Sequence, residues 1–286
     1  MKKITDISSL RNEVESWRQV SESVALVPTM GNLHKGHINL FKLAHEHADR
    51  LIVSIFVNPT QFGPGDDYAE YPRTLDADAR RLARCGADIL FSPSAEEIYP
   101  EGCEQMTSVS VKRLSGMFCG VARPEHFEGV TSIVCRLFNI VAPDIAVFGQ
   151  KDYQQLAVIR KLVADLHMPI EIIGVPIVRA DDGLALSSRN GYLSEQERAI
   201  APTLYRTLCE LRDALAQGES AEQVLQRGKT ALYDAGFTPD YLELRDATLK
   251  PVAASTRHAV LLAAAKLGPA RLIDNLSVQL PSAATD

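Results

Sequence analysis

Val24-Ala25-Leu26-Val27-Pro28-Thr29-Met30-Gly31-Asn32-Leu33-His34-Lys35-Gly36-His37 decides the fold. A short apolar run stops at Pro28 and glycines punctuate the turn. His37, Leu40, Phe41, Ala44 and Ala48 then recur at helical spacing. An apolar run of this length between breakers reads as a buried parallel strand, and the periodic segment after it as an amphipathic helix. A strand-to-helix turn of this kind aims backbone N–H groups and the positive end of a helix dipole at one point, which suits phosphate. The turn is not a Walker A loop. Gly31 and Gly36 have the right separation, but His37-Ile38 occupies the place of the required Lys-Ser/Thr, and no G-x-G-x-x-G occurs. Instead His34 and His37 lie three residues apart at the helix start, where both can donate to a phosphate as charge builds. The alternative is local: His34 caps the turn and His37 packs in a polar core.

Outward from this junction the rhythm repeats. Residues 51–57, 88–91, 144–148 and 170–175 read as further strands, and 74–85 and 131–141 as intervening helices. Leu156, Ile159, Val163 and Leu166 mark another helix after Asp152. Strand–helix alternation implies a parallel sheet with crossover helices, hence an α/β, Rossmann-like domain. Beyond Val178 the pattern changes. Asn190-Gly191 signals a turn, Ser194 and Glu197 have capping-box spacing before a long helix, and a second helix is expected over about 221–235. Strand-like runs follow near 240–244, 259–264 and 270–273. The expected organisation is therefore a nucleotide-binding domain over 1–180 and a smaller α+β domain over 181–286.

Two more segments carry chemistry. In Phe148-Gly149-Gln150-Lys151-Asp152-Tyr153-Gln154-Gln155 a strand again gives way through glycine to a helix. Asp152 and Gln155 have the spacing of a capping box, which is a sufficient structural reason for both. It does not explain Lys151, because a cation at a helix N-terminus is unfavourable without an anion. In Leu186-Ser187-Ser188-Arg189-Asn190, two hydroxyls and a guanidinium share one short loop and can bind a polyphosphate, or simply form a solvated turn.

Composition bounds the function. The 286 residues are 46% hydrophobic and 23% charged, with a formal net charge of −6, so a folded chain is expected and a basic nucleic-acid footprint is not. The five cysteines, Cys85, Cys103, Cys119, Cys135 and Cys209, form no C-x-x-C pair, which fits a reducing compartment. The N-terminus lacks a signal-peptide pattern, and the longest apolar run, 259–265, is too short to span a bilayer. A cytoplasmic protein with no membrane partner is expected.

Taken together, H-x-G-H and the Ser-Ser-Arg loop resemble the paired signatures of the nucleotidyltransferase superfamily that includes class I aminoacyl-tRNA synthetases. The closer resemblance is to the pantothenate synthetases, the pantoate–β-alanine ligases of vitamin B5 synthesis. It rests on Pro28 to His37, Val57-Asn58-Pro59-Thr60-Gln61-Phe62, Tyr71-Pro72-Arg73-Thr74, His126-Phe127-x-Gly129-Val130, Lys151 to Gln155 and Ser187 to Asn190. The resemblance implies that ATP and pantoate form a bound pantoyl adenylate, releasing pyrophosphate, and that β-alanine then displaces AMP. Met30, Gly31, Asn32, Leu33, His34, Lys35, Gly36 and His37 would hold ATP, together with Gly149, Gln150, Lys151, Asp152, Val178, Leu186, Ser187, Ser188 and Arg189. Gln61 and Gln155 would bind pantoate, with Gln61 also at the β-alanine site. His34, His37, Lys151 and Arg189 are the catalytic candidates: the resemblance implies that His37 is a proton donor, whereas pyrophosphate bound to Mg²⁺ leaves without needing a proton, which favours charge stabilisation by hydrogen bonding. Mg²⁺ is expected chiefly on the phosphates, and a homodimer with a C-terminal lid domain is implied. Two positions depart from the family pattern: Gln150, where an acid is common, and Leu186, where methionine is common.

Other clusters point elsewhere less well. His45-Glu46-His47 lacks the H-E-x-x-H order, and residues two apart on a helix do not face one another. Asp66-Asp67 falls in a Gly/Pro-rich loop that could move over the site and Asp76/Asp78 at a charged helix start; these readings are favoured over a metal site at either pair. Arg123 and His126 lie in a family-like stretch where substrate or phosphate contact is expected. The rival functions are transfer of a nucleotide onto a phosphate, a tRNA synthetase, and a non-catalytic ATP-binding regulator.

Overall fold

The computed structural model describes residues 1–281. The chain divides into two compact units, one of Met1–Gln150 with Gln154–Pro176, the other of Lys151–Tyr153 with the residues from Ile177 onward.

The first unit is an α/β layer structure. Its strands are β1 (Lys2–Ile4), β2 (Val24–Thr29), β3 (Arg50–Ile55), β4 (Ile89–Phe91), β5 (Ile145–Gly149) and β6 (Glu171–Val175). Its helices are α1 (Ile7–Arg18), α2 (Lys35–His47), α3 (Leu75–Arg84), the short α4 (Ala95–Ile98) and α5 (Cys119–Ala122), α6 (His126–Val141) and α7 (Tyr153–Asp165). The six strands are all parallel in the order β1-β4-β3-β2-β5-β6. Both faces of the central strands are buried, as their unbroken apolar runs require. Ala25, Val27, Leu51, Val53 and Val147 pack with Phe41 and Ala44 of α2 and Leu82 of α3. The chain order reverses between β2 and β5, so these neighbours flank a topological switch point, the usual crevice for ligands in open α/β sheets.

The second unit holds α8 (Glu195–Ile200), α9 (Thr203–Ala216), α10 (Ala221–Asp234) and an antiparallel sheet β7-β8-β9 (Thr238–Asp246, His258–Leu267, Ala270–Gln279). Leu204, Leu208, Leu211 and Leu215 of α9 pack with Val224 and Leu232 of α10 and Leu242 and Leu261 of the sheet.

Several elements differ from expectation, each for a physical reason. The N-terminal β1 and α1 lie outside the expected elements, although Asp6 caps α1 and Leu10, Val14 and Trp17 form its buried stripe. The long helix expected after Ser194 is two helices. Ser194 and Glu197 do form the capping box, but Pro202 brings no N–H and crowds the carbonyl four residues back, so α8 ends. Helix α6 starts at His126 rather than 131, its first turn disguised by Gly129. Strand β9 continues six residues beyond 273, through Asp274 and Asn275, whose polarity interrupts the apolar run yet which are buried and bonded.

Candidate active site

Strands β2 and β5 are paired in parallel and end at Thr29 and Gly149, bringing the two nominated strand-to-helix turns to the same edge of the sheet. At the first turn each histidine ring accepts from a backbone N–H of the turn. Gly36 N–H donates to His34 Nδ1 (3.1 Å), and His34 N–H donates to His37 Nδ1 (3.1 Å). This is a capping box built from two imidazoles, with ring centroids 4.2 Å apart. Accepting at Nδ1 requires that nitrogen to be unprotonated, so each neutral ring carries its proton on Nε2. The local capping role and a donor role are thus compatible: one ring atom holds the turn and the other is an N–H donor.

The expected free backbone N–H groups at this turn are a different matter. Gly31 N–H donates to Thr29 Oγ1, Asn32 and Leu33 N–H donate to Asp78, and His37 N–H donates to His34 O. The N–H groups of Gly31, Asn32, Leu33, His34, Gly36 and His37 are thus engaged inside the protein. By position alone Asp78 is a helix-start charge or a metal ligand. It is instead fully buried, at 0% exposure, and both its oxygens accept from protein donors.

Gln61 ends a 3₁₀ turn, Pro59–Gln61, and is buried beside the first junction, with Nε2 2.8 Å from Met30 Sδ. Its amide is oriented by Asn58, whose Nδ2 donates to Gln61 Oε1 (3.4 Å) and Gly129 O (3.2 Å). Asn58 Oδ1 in turn accepts from Tyr99 Oη (2.7 Å) and Thr60 Oγ1 (3.1 Å). Burial pushes the Tyr99 phenol up, which keeps it a donor. The backbone carbonyl of Gln61 accepts from His126 Nδ1 (2.8 Å) and Arg123 Nη2 (3.2 Å). Arg123 also pairs with Asp66 at 2.8 Å. Burial pushes the Asp66 carboxyl up, but the Gly63 N–H and the Arg123 guanidinium outweigh it and hold it below the usual carboxylate range. Arg123, His126 and Asp66 therefore brace the Gln61 turn. Gln155 is half-buried on α7, next to the buried Gln154, whose amide binds the backbone at Leu114, Met117 and Cys119.

At the second junction Gln150 donates to Gly174 O (3.2 Å), stitching the exit of β5 to β6. An acidic side chain has no such donor, so the departure from the family pattern has a local reason. The remaining candidates lie in the second unit. Val178 and Leu186 face each other across a hairpin, Leu186 N–H donating to Val178 O (2.9 Å). The Ser187 hydroxyl accepts from Arg189 N–H as the chain enters a 3₁₀ turn, Ser188–Tyr192. The base of that hairpin is held by Arg179, which makes a two-pronged pair with Asp274 (2.6 and 2.9 Å) and stacks on Tyr205. The next residue, Asn275, donates to the carbonyl of Lys151 (3.0 Å). Neither Arg179 nor Asp274 stands out in the sequence, where a strand carboxylate and a loop arginine 95 residues apart give no local signal. His45, for its part, binds Cys85 O, a structural contact.

Residues 2–277 match the family of pantoate-beta-alanine ligases. The chain belongs to that family. It is 57% identical over 279 residues to the pantothenate synthetase of Chromohalobacter salexigens, covering 97% of this chain and 99% of that one. It is 53% identical to that of Pseudomonas fluorescens, covering 99% and 100%. Among solved structures, pantothenate synthetase from Thermus thermophilus superposes with a TM-score of 0.90 at 45% identity, over 96% of this chain and 99% of that one. The pantoate-beta-alanine ligase of Francisella tularensis, complexed with beta-gamma ATP and beta-alanine, has a TM-score of 0.80 at 34% identity, over 96% and 97%. The activity is that of a pantoate–β-alanine ligase. Among the described residues, no helix of this ligase is long and apolar enough to cross a membrane.

Proposed function

We infer that the chain condenses pantoate with β-alanine in two steps on one site. A pantoate carboxylate oxygen attacks the α-phosphorus of ATP, the bond to the β-phosphate breaks, and pyrophosphate leaves with the electron pair. The β-alanine nitrogen then attacks the acyl carbon, loses a proton, and displaces AMP. A carboxylate resists direct amide formation because its leaving group would be oxide; adenylation supplies a better one, and a site closed to water protects the mixed anhydride. The observation that carries this reading is the pair of strand-to-helix turns on neighbouring strands at the switch point, with the Gln61 amide against Met30.

Residues Met30–His37, Gly149 and Gln150 hold ATP, and Lys151, Asp152, Val178, Leu186, Ser187, Ser188 and Arg189 complete its contacts. The Gln61 and Gln155 amides orient pantoate, and Gln61 borders β-alanine. His34 and His37, with Nδ1 engaged by the turn, present Nε2–H to the phosphates and act by stabilising charge rather than by delivering a proton. Lys151 and Arg189 add fixed positive charge. Transfer of this kind depends on positioning and charge neutralisation more than on covalent help. Mg²⁺ enters as part of the MgATP substrate, carried by the phosphates; Asp78, the carboxylate at the loop, already has a donor on each oxygen. The working form is a homodimer in the cytoplasm, with the second unit acting as a lid.

Isotope exchange between pyrophosphate and ATP tests the scheme. Exchange that requires pantoate, followed by AMP and pantothenate when β-alanine is added, is the expected result. Exchange without pantoate, or ADP as product, rejects it in favour of simple nucleotidyl or phosphoryl transfer.

A further inference from the structure

We propose that Asp78 is a positioning residue for the nucleotide turn, an inference that rests on Met30–His37 being that turn. Gly31 and Asn32 both have left-handed backbones, φ 84° and 49°, a conformation that turns successive N–H groups into one concavity of the kind that binds anions. Here the concavity is filled from within. Asp78 Oδ2 accepts from Asn32 N–H (2.8 Å) and Thr74 Oγ1 (2.9 Å), and Oδ1 accepts from Leu33 N–H (2.9 Å). A Cβ on Gly31 would stand 3.2 Å from Asp78 Oδ2, so the glycine serves the carboxylate as well as the turn. Arg81, one turn further along α3, donates to the carbonyl of Leu33 and lies 3.8 Å from Asp78 Oδ1. Helix α3 thus grips both ends of the Leu33 residue. The turn is pre-shaped before nucleotide arrives, and the His34–His37 pair that follows it is held in register.

Asp78→Asn in the full-length enzyme tests this, because it keeps size but sets an NH₂ against a backbone N–H. The expected outcome is kcat/KM for ATP lowered by about tenfold or more, with KM for pantoate and β-alanine held within about twofold. A lower Tm with unchanged kinetic constants in the folded enzyme would make Asp78 a stability residue only and overturn the proposal. If Asp78→Asn does not fold, Thr74→Val decides. It loosens the carboxylate without removing it, and a rise of about two- to fivefold in KM for ATP alone supports the proposal while no change overturns it. His34→Ala separates the parent reading. If it too leaves the ATP constants unaltered, the assignment of the turn to nucleotide falls and takes the proposal with it; if it alone impairs them, only the role of Asp78 falls.

Discussion

The reciprocal cap between His34 and His37 makes each imidazole do two things at once. Replacing His37 by alanine removes an acceptor for the turn and, on the proposed function, a donor for phosphate. Glutamine retains an amide capable of both. His37→Ala should lower kcat by about 10²-fold, whereas His37→Gln should lose less than about tenfold; equal losses in steady-state assays would argue for true proton transfer. Nitrogen-15 NMR should find Nδ1 of both rings unprotonated. Lys151 is a simpler case. Its carbonyl is anchored by Asn275, so its backbone position does not depend on its own side chain. Lys151→Ala should therefore keep its melting temperature while kcat falls by about 10²-fold. Unchanged kinetics would make Lys151 an ordinary surface cation.

At the scale of elements, the close packing of α6 on the Pro59–Gln61 turn explains a glycine inside a helix. A Cβ on Gly129 would lie 2.2 Å from Thr60 O and 2.6 Å from Gln61 N, too close for any side chain. Gly129→Ala must push the turn away from α6, breaking the Asn58–Gly129 hydrogen bond that orients the Gln61 amide. The expected cost is about 1–3 kcal/mol of stability together with a raised KM for pantoate. Denaturant melts and pantoate kinetics check both, and a variant with native constants would show that Gln61 does not need this support. The same contact explains why the start of α6 is illegible in the sequence. Glycine reads as a helix interruption unless one knows what lies against it.

Across the whole molecule, the two edges of the parallel sheet have different work. The strand-to-helix turns leave the C-terminal ends of β2 and β5, while carboxylates stitch the opposite edge. Asp144 accepts from Arg18 (2.7 Å) and from Val24 N–H, Asp88 accepts from Arg50 and from Leu51 N–H, and Asp49 accepts from Ser23. Burial pushes the Asp144 carboxyl up, but Arg18 and the Val24 N–H outweigh it, so its folded value lies below the unfolded one. The Ser23 hydroxyl and N–H hold Asp49 low in the same way. Groups with depressed folded values contribute stability that is complete above the ordinary carboxylate range and lost as pH falls through the folded value. Melting temperature should therefore drop steeply below about pH 4, and Arg18→Ala should flatten that drop relative to its own plateau. An unaltered acid profile in Arg18→Ala would show that Asp144 is not part of the acid response.

The amino-acid sequence alone determined the α/β alternation, the helix stripes and the identity of the chemical groups, because each depends on residues within a few positions of one another. Its apolar runs without alternation required strands buried on both faces, and its H-x-G-H turn required a helix start. The tertiary structure decided the rest. Only strand order puts β5 rather than β3 across the switch point from β2, and only packing brings Asp78 beneath the turn at 31–33 or Asp274 against Arg179. A buried carboxylate and an exposed one are the same letter in a sequence. What separates them is the N–H groups that arrive from distant parts of the chain once the sheet has formed.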